Sequence, residues 1–500
     1  MSAPRSRLPF VPKTTSTRLS KSRYCCGIQC TKQLWWRVHE PRAPELVVDA
    51  SLQAVFDRGN QVGALAQDRF PRGVLVDGEY WDVKGKVEKT RRAIAEGAPA
   101  VFEASFLVND VFVAVDVLER RRGGWNLIEV KSTNKVKDPH IPDVAVQLHV
   151  LRSSGLDVKR TDLMHLNPVC TFPDLSNLFV RDDVTKEAEA VLPGIPKEIR
   201  RLKAALEGKL PDVDPGPHCT DPYECPFMAR CWPDLPEHHV STLYRIGKRA
   251  DAFVADGYET IHDLPDDVRL SGPTARQVRS VRKGRLVVED GLAQALAGIE
   301  PPTAFLDFET INPAVPVWNG CHPFEAVAVQ MSCHVRGARG ALAHHEFLAE
   351  GPGDPRPAMA DAVISACKGA RTVVAYYASF EKARIEHLAA NVPSRRKALL
   401  DIAGRLVDLH PIVRDNVYHP SFGGSFGLKS VAPALVRGLG YDDLEIGEGE
   451  AAATVLEGLL LSEGSIPAAE RKRLRRQLLD YCERDTLAMV KVYERLEGLA

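Results

Sequence analysis

Two carboxylates stand two residues apart in Thr303-Ala304-Phe305-Leu306-Asp307-Phe308-Glu309, an otherwise apolar run. Alternate side chains of a strand share a face, so Asp307 and Glu309 point the same way from an element whose composition predicts burial. Holding two buried carboxylates together is costly without a cation. Tyr481 and Asp485 lie four residues apart in a helical stretch, hence on one face, where a phenol would orient water beside a metal-bound acid. The same pair also fits a solvated helix. Upstream, Glu129 and Lys131 share a face of Leu127-Ile128-Glu129-Val130-Lys131, and a hairpin would bring Asp116 of the preceding strand beside Glu129. Two such carboxylates suit a hard divalent cation, Mg2+ or Mn2+. Held there, the cation would activate water and offset the charge that builds on a phosphodiester, with Lys131 near the nucleophile or the phosphate. Glu-x-Lys by itself is also a common surface ion pair.

These residues need particular elements to position them. A capped helix is predicted from Leu19, a second helix over 51–68, strands over 102–119 and 125–130 around the turn Arg120-Arg121-Arg122-Gly123-Gly124, and a helix over 142–153. Residues 210–236 are rich in Pro and Cys and read as a loop-rich metal segment. Residues 241–298 read as helical and carry Arg269, Arg276, Arg279, Arg282, Lys283 and Arg285, either as a solvated spacer or as a path for DNA. Beyond Pro301-Pro302, strands and helices alternate up to a long helix over 468–496.

The cysteines form a third constellation. Cys219, Cys225 and Cys231 recur at C-x5-C-x5-C, and with Cys30 they bracket the upstream acids. Four thiolates suit a 4Fe-4S cluster, and tetrahedral zinc uses the same ligands. Cys25 and Cys26 are alternatives to Cys30. Cys170, Cys321, Cys333, Cys367 and Cys482 are scattered and read as buried, inert thiols.

On these motifs, the first half of the chain resembles the RecB-like branch of the PD-(D/E)XK nucleases. Asp116 in Val113-Ala114-Val115-Asp116-Val117-Leu118, the Glu129-Val130-Lys131 core and Gln147 on the following helix match that pattern, and Glu103 adds an acid at the rim. The upstream helix Phe56-Asp57-Arg58-Gly59-Asn60-Gln61-Val62-Gly63 lacks the histidine that many relatives use as a metal ligand, and Leu151 stands where a tyrosine often follows the glutamine. With its flanking cysteines, this half is similar to the iron–sulfur RecB-like nucleases that include the CRISPR-associated family. The resemblance implies a restriction-endonuclease-like fold, metal at Asp116 and Glu129, catalytic Lys131 and Gln147, and a cluster on Cys30, Cys219, Cys225 and Cys231.

The second half resembles the DEDDy exonucleases of the RNase H-like superfamily. Phe305-Leu306-Asp307-Phe308-Glu309-Thr310 matches their first motif. Val373-Val374-Ala375-Tyr376-Tyr377-Ala378-Ser379-Phe380-Glu381 is similar to the middle one, with Glu381 in place of aspartate. Asp408-Leu409 and Gly423-Gly424-Ser425-Phe426-Gly427-Leu428-Lys429 fit the later strand and the substrate-side loop. The resemblance implies two metals on Asp307, Glu309, Glu381 and Asp485, water positioned by Tyr481, phosphate contact by Lys429, and 3′-to-5′ polarity. The two halves together resemble an uncharacterised bacterial family that fuses such modules.

Length and composition bound this reading. At about 150 residues per domain, 500 residues predict several units. The 65 Lys+Arg against 66 Asp+Glu, net −1, exclude a globally basic nucleic-acid coat. The sequence has no apolar run of the ~18 residues a membrane span needs, so no membrane role is expected. Eleven cysteines without a secretory signal point to a reducing compartment, by default the cytoplasm. The expected organisation is mixed α/β: a basic leader over 1–18, acting as a phosphate-contacting arm or a solvated tail, a RecB-like domain over 19–235, a helical connector over 236–300 and an RNase H-like domain over 301–500. The expected function is metal-dependent hydrolysis of DNA, on single strands or ends, in DNA repair or mobile-element defence, alone or with protein partners. The alternative is a nucleic-acid-binding adaptor in which only the C-terminal site works.

Overall fold

The computed structural model describes residues 17–79, 81–232, 234–462 and 466–500. The chain is mixed α/β and divides into two compact units, Met1–Pro233 and Asp234–Ala500. Apart from Thr17 and Arg18, the basic leader lies outside the described residues. Among the described residues no helix is long and apolar enough to cross a membrane.

The N-terminal unit opens with helices α1 (Lys21–Gln29) and α2 (Thr31–His39). The sequence predicts one helix here; Cys30 breaks it. Its extended backbone (φ −156°, ψ 119°) ends α1, and its sulfur accepts from Gln33 N as the N-cap of α2. Helix α3 (Ala50–Gln67) follows, capped by Asp49. The sheet is built from β1 (Ala100–Val108), β2 (Val111–Arg121), β3 (Gly124–Lys131), β4 (Val158–Leu166) and β5 (Phe179–Asp183), in that spatial order. Among these five, neighbours are antiparallel except the parallel pair β3/β4, and the two-residue strands Leu19–Ser20 and Val74–Leu75 complete a seven-stranded sheet by pairing parallel with β2 and β1. Helix α4 (His140–Ser153) makes the β3-to-β4 crossover and is buried on nearly every side, as its run Val144-Ala145-Val146-Gln147-Leu148 anticipates. These elements share a core that includes Leu34, Val113, Val115, Leu127, Val146, Leu148 and Leu202.

The C-terminal unit holds a five-stranded sheet. Its strands are β6 (Thr303–Ile311), β7 (Val327–Arg336), β8 (Leu342–Leu348), β9 (Thr372–Ala375) and β10 (Leu406–Asp408). Their spatial order is β8-β7-β6-β9-β10, antiparallel through β8/β7/β6 and parallel through β6/β9/β10. The helix Ser379–Asn391 follows β9, and Ala468–Glu497 closes the chain against β6 and β7.

The expectation of a mostly helical connector over 236–300 is corrected in two ways. Its helices are the short Arg249–Ala255, Gly272–Lys283 and Leu292–Leu296, joined by turns, and Val287–Val288 pairs with Val417–Tyr418. Nor is the segment a spacer: Val240, Ile261, Val278 and Leu292 share one core with Phe305, Tyr418 and Tyr493. Gly424 shows how close that packing is, since at φ +86° an added Cβ would collide with the carbonyl of Thr242. The basic side chains misled the reading: Arg276 is buried, donating to the carbonyl of Arg414 and to Glu289, and so does not face a groove.

Candidate metal centres

In the N-terminal unit, the β2–β3 hairpin brings Asp116 and Glu129 together just beyond the pair Val117/Ile128. Asp116 Oδ2 accepts from Val130 N at 2.6 Å. Glu129 is almost fully buried. Its Oε1 accepts from Lys131 Nζ at 2.8 Å and from Lys21 Nζ at 2.6 Å, and its Oε2 accepts from Gln147 Nε2 at 2.8 Å. Lys131 also bonds Asp143, which Lys21 approaches at 3.5 Å. The expected residues Asp116, Glu129, Lys131 and Gln147 therefore converge. Two more join them: Asp143 sits one helical turn before Gln147, a signal readable at i, i+4, whereas Lys21 is 108 residues from Glu129 and has no signal in spacing. Glu103 lies on β1 between the pairs Phe102/Val117 and Ala104/Val115, at a left-handed φ of +54°, near enough to Lys21 and Glu129 for their charges to act on it.

Burial and the Glu129 charge raise Asp116 to about 8. Burial would raise Glu129 as well, but Lys131 and Lys21 outweigh it and hold that carboxyl well below its ordinary range. Hence Asp116 is quieted by a proton and Glu129 by two ammoniums. The donor set fits a hard cation, but binding one at Glu129 requires displacing the Lys21 ammonium.

The four expected cluster cysteines are neighbours. Burial, then Cys30, Cys219 and Cys231, raise the Cys225 thiol; Cys30 and Cys219 do the same to Cys231 after burial, against Lys32. Cys26 stands close to Cys225 and Cys30 as well, while its Sγ contacts Gln33 Oε1 at 3.1 Å. The segment packs on α2: Trp36, Ala43, Cys225 and Phe227 form a small core, and the Arg230 guanidinium lies 5.3 Å from the Trp36 ring centroid. Among the described residues the four sulfurs are not one of the groups whose ligand atoms all lie within 4.8 Å of one another, so a metal held by all four belongs to the proposals below.

In the C-terminal unit, Asp307, Glu309 and Asp485 each place a carboxylate oxygen within 4.8 Å of the others. The first two alternate on β6, opposite Ser332 and Gln330 of β7, and Asp485 comes from the last helix. Glu381, from the first turn of the helix after β9, stands close enough for its charge to raise Asp307 and Glu309, though not within that tight triad. It is buried, and its Oε2 has no hydrogen-bond partner. Burial, then neighbouring acids, drive these groups upward: Glu309 to about 8 (Asp485), Glu381 to about 8 (Asp408) and Asp307 well above its ordinary range (Asp485, Glu309, Glu381). Asp485 rises less, to about 6, because Tyr441, Lys429 and Tyr481 oppose its burial. A buried acid group with an orphaned oxygen and mutually raised carboxyls fits a divalent cation on its own chemistry.

Around this group, Tyr441 Oη donates to Asp485 Oδ1 at 2.7 Å, and Lys429 Nζ lies 5.1 Å from the Tyr481 ring centroid while donating to the Gly447 carbonyl. Cys482 is buried and inert, as expected, but it touches the site: its Sγ donates to Asp307 Oδ2 at 3.7 Å, and burial and Asp307 push that thiol up so that it keeps its proton. Neither Tyr441, in a loop, nor Cys482 carried a spacing signal. Residues 304–427 match a family described as a domain of unknown function (DUF2779). The match covers Asp307, Glu309 and Glu381 and ends before Tyr481 and Asp485. No curated protein matches the chain.

A further group was missed in the sequence. His334 and His344 are cross-strand partners on β7 and β8, and with Glu483 they too place three ligand atoms within 4.8 Å. Both rings are already engaged, His334 Nδ1 with Thr486 Oγ1 at 2.8 Å and His344 Nε2 with Ser332 Oγ at 2.9 Å.

Proposed function

We propose that this chain is a metal-dependent nuclease whose principal site is the acid group of the C-terminal unit. The observation that carries this reading is the convergence of Asp307, Glu309 and Asp485 within 4.8 Å from a central strand and the last helix, with Glu381 and Tyr481 alongside. Asp307, Glu309, Glu381 and Asp485 would hold Mg2+ or Mn2+, which supplies an activated water and offsets charge on the phosphodiester. The chain's own residues do the rest: Tyr481, hydrogen-bonded to Asp485, orients the attacking water, and Lys429, next to the Tyr481 ring, draws the scissile phosphate toward the acids. The fold proposed for this unit is RNase H-like of the DEDDy type, with 3′-to-5′ hydrolysis of DNA. The N-terminal unit is proposed to be a RecB-like PD-(D/E)XK domain with a 4Fe-4S cluster, or zinc, on Cys30, Cys219, Cys225 and Cys231. Its acids would cleave DNA with Lys131 near the attacking water, and the whole would act in DNA repair or mobile-element defence, alone or with protein partners in the cytoplasm.

One observation favours a second reading in which only the C-terminal site cuts. Both oxygens of Glu129 are already taken, by Lys21, Lys131 and Gln147. The test is cleavage of end-labelled single- and double-stranded DNA and RNA with Mn2+, by wild type, Asp116→Ala, Asp307→Ala and the double variant, all purified anaerobically. Two sites predict a different product pattern lost in each single variant. If Asp307→Ala abolishes cleavage and Asp116→Ala changes nothing, the second reading holds; if Asp307→Ala cuts like wild type, the main proposal fails.

A further inference from the structure

In the C-terminal unit, apart from the acid group, a cavity of about 540 Å³ opens to solvent, lined by Tyr244, Arg245, Arg249, Thr274, Arg414 and Asp415 among others. Its volume is that of a site for a small ligand or one or two nucleotides. Its charge is positive: three guanidiniums face one carboxylate. Arg414 is paired in bidentate fashion with Asp415, at 2.7 and 2.6 Å. Arg249 donates to the Arg269 carbonyl and lies over the Phe253 ring. Arg245 is exposed, has no carboxylate partner among the described residues, and lies 5.2 Å from the Tyr244 ring centroid. Stacked guanidiniums with free donors are the side chains that bind phosphate in two-pronged fashion.

An exposed aromatic ring lies near this cavity without lining it, close enough for the charges of Arg245 and Arg414 to act on its phenol. Tyr377 is 47% exposed, an unusual setting for a large ring at the end of a central strand. Its back is stacked on His410 at 4.0 Å between centroids, which fixes the ring. Its backbone is held at φ +64° by a bond from its N–H to Asp408 Oδ1, and Arg245 sits at φ +53°. Non-glycine residues in that region carry about 1–3 kcal/mol of strain, which persists where it serves a site. The surroundings link cavity, ring and acids. Tyr244 and Asp408 raise the Tyr377 phenol after partial burial, while Arg245 and Arg414 lower it. Asp408 in turn raises Glu381. Phe380, 42% exposed, follows one residue before Glu381.

We infer that the Tyr377 ring and the arginines of this cavity form a binding subsite for single-stranded nucleic acid, a base stacking on Tyr377 and the phosphates lying against Arg245, Arg249 and Arg414. This deepens the nuclease reading and rests on it for the direction in which the strand runs toward the acids. The chemistry selects a single strand over a duplex, because a fixed, exposed ring takes the face of a base only when that base is unstacked. Neither stacking nor phosphate contact reads the 2′-hydroxyl, so DNA and RNA strands are both probed.

The test is binding by the full chain in excess EDTA, so that no turnover is needed. The probes are labelled single strands of DNA and RNA, the matching duplex, and a single strand ending in 2-aminopurine, whose fluorescence reports stacking. The variants are Tyr377→Phe, Tyr377→Gly and the pair Arg245→Gln/Arg249→Gln. Glycine adopts the positive φ of position 377 freely, so Tyr377→Gly removes the ring without a backbone penalty. The expected result is about tenfold weaker single-strand binding and loss of the 2-aminopurine quench in Tyr377→Gly, with both kept in Tyr377→Phe. The arginine pair should lower the slope of log K against log salt by about 1.4, two contacts' worth. Single-strand affinity, quench and salt slope that match wild type in these variants overturn the inference, as does a wild type that prefers the duplex or binds no strand. If the subsite results hold but no strand is ever hydrolysed with Mn2+, the nuclease reading fails by itself. If hydrolysis is intact and Tyr377→Gly binds like wild type, the subsite alone fails.

Discussion

Glu381 offers the sharpest test of whether the C-terminal acids await a cation. It is 3% exposed, its Oε2 lacks a partner, and it titrates at about 8 where an ordinary glutamate titrates at 4.5. Burial is the main cause, and the Asp408 charge adds to it. A carboxyl whose folded pKa is raised stabilises the protein most below the unfolded pKa, and that contribution is lost as pH rises from about 4.5 through about 8. At about 1.4 kcal/mol per pH unit, ionising Glu381 in the metal-free protein at pH 8 costs at most about 5 kcal/mol. Its acidic neighbours share protons with it, so we take about half, roughly 2–3 kcal/mol. Glu381→Gln keeps the shape and removes the charge. In EDTA at pH 8 the variant should therefore be the more stable by that amount, raising the transition of its unit by roughly 4–10 °C. At pH 5, only half a unit above the unfolded pKa of about 4.5, the folded carboxyl keeps its proton and little of that cost has accrued, so the gain should fall below about 0.5 kcal/mol. Mn2+ should reverse the order at pH 8, because the wild type gains a ligand that the variant lacks. Calorimetry of both proteins at the two pH values, with and without Mn2+, reads all of this. A variant that is less stable than wild type at pH 8 in EDTA, or a difference that does not depend on pH, would refute the reasoning.

Other outcomes follow from the same geometry. Tyr441→Phe removes a 2.7 Å bond that lowers Asp485, so Asp485 should rise above about 6 and the acid limb of the kcat/KM profile should move up by about one pH unit; an unmoved limb counts against Asp485 as a ligand. Lys21→Gln strips an ammonium from buried Glu129, which should destabilise the N-terminal unit by about 3–5 kcal/mol in EDTA. Mn2+ should restore part of that loss, and thermal melts that show no metal-dependent recovery would argue against a cation site there. Cys219→Ser should lower the iron or zinc content of anaerobically purified protein and the melting temperature of the N-terminal unit, whereas Cys170→Ser should leave the metal content alone; elemental analysis decides.

What could be read in the sequence is what local periodicity encodes. Asp307/Glu309 and Glu129/Lys131 share faces because strands alternate, and Tyr481/Asp485 because helices repeat, and the structure keeps each pair on one side. The Cys30 break was invisible because nothing in Gly27-Ile28-Gln29-Cys30-Thr31 opposes helix strongly; the extended backbone there comes with a packed neighbourhood of cysteines. Residues 241–298 misled for the opposite reason. Their arginines suggested a solvated face, yet Arg276 and Arg282 spend their donors on buried carbonyls, a tertiary choice that composition does not reveal. Lys21 and Tyr441 reach their sites across 108 and 44 residues, and no pattern in the chain announces either contact.

The two acid centres differ in how their charge is met. In the N-terminal unit the carboxylates of Glu129 and Asp143 already have two ammoniums between them, and Asp116 holds a proton at neutral pH. A cation arriving there competes with Lys21, which must leave a buried ion pair to admit it, so binding gains only the difference between two favourable arrangements. In the C-terminal unit the opposing cations are Lys429, Arg384 and Arg484, and they do not prevail: Glu309 and Glu381 still titrate near 8. There a divalent ion displaces protons rather than side chains, and those on Glu309 and Glu381, held at about 8, take little free energy to remove at pH 7 to 8. Metal affinity at that site should climb with pH until the acids are ionised, then level off, whereas the N-terminal site should stay closed to metal until Lys21 is removed. The asymmetry orders the proposals: the proposed catalysis would rest first on Asp307, Glu309 and Asp485, and the N-terminal centre would become a second nuclease site only if substrate drew Lys21 away from Glu129.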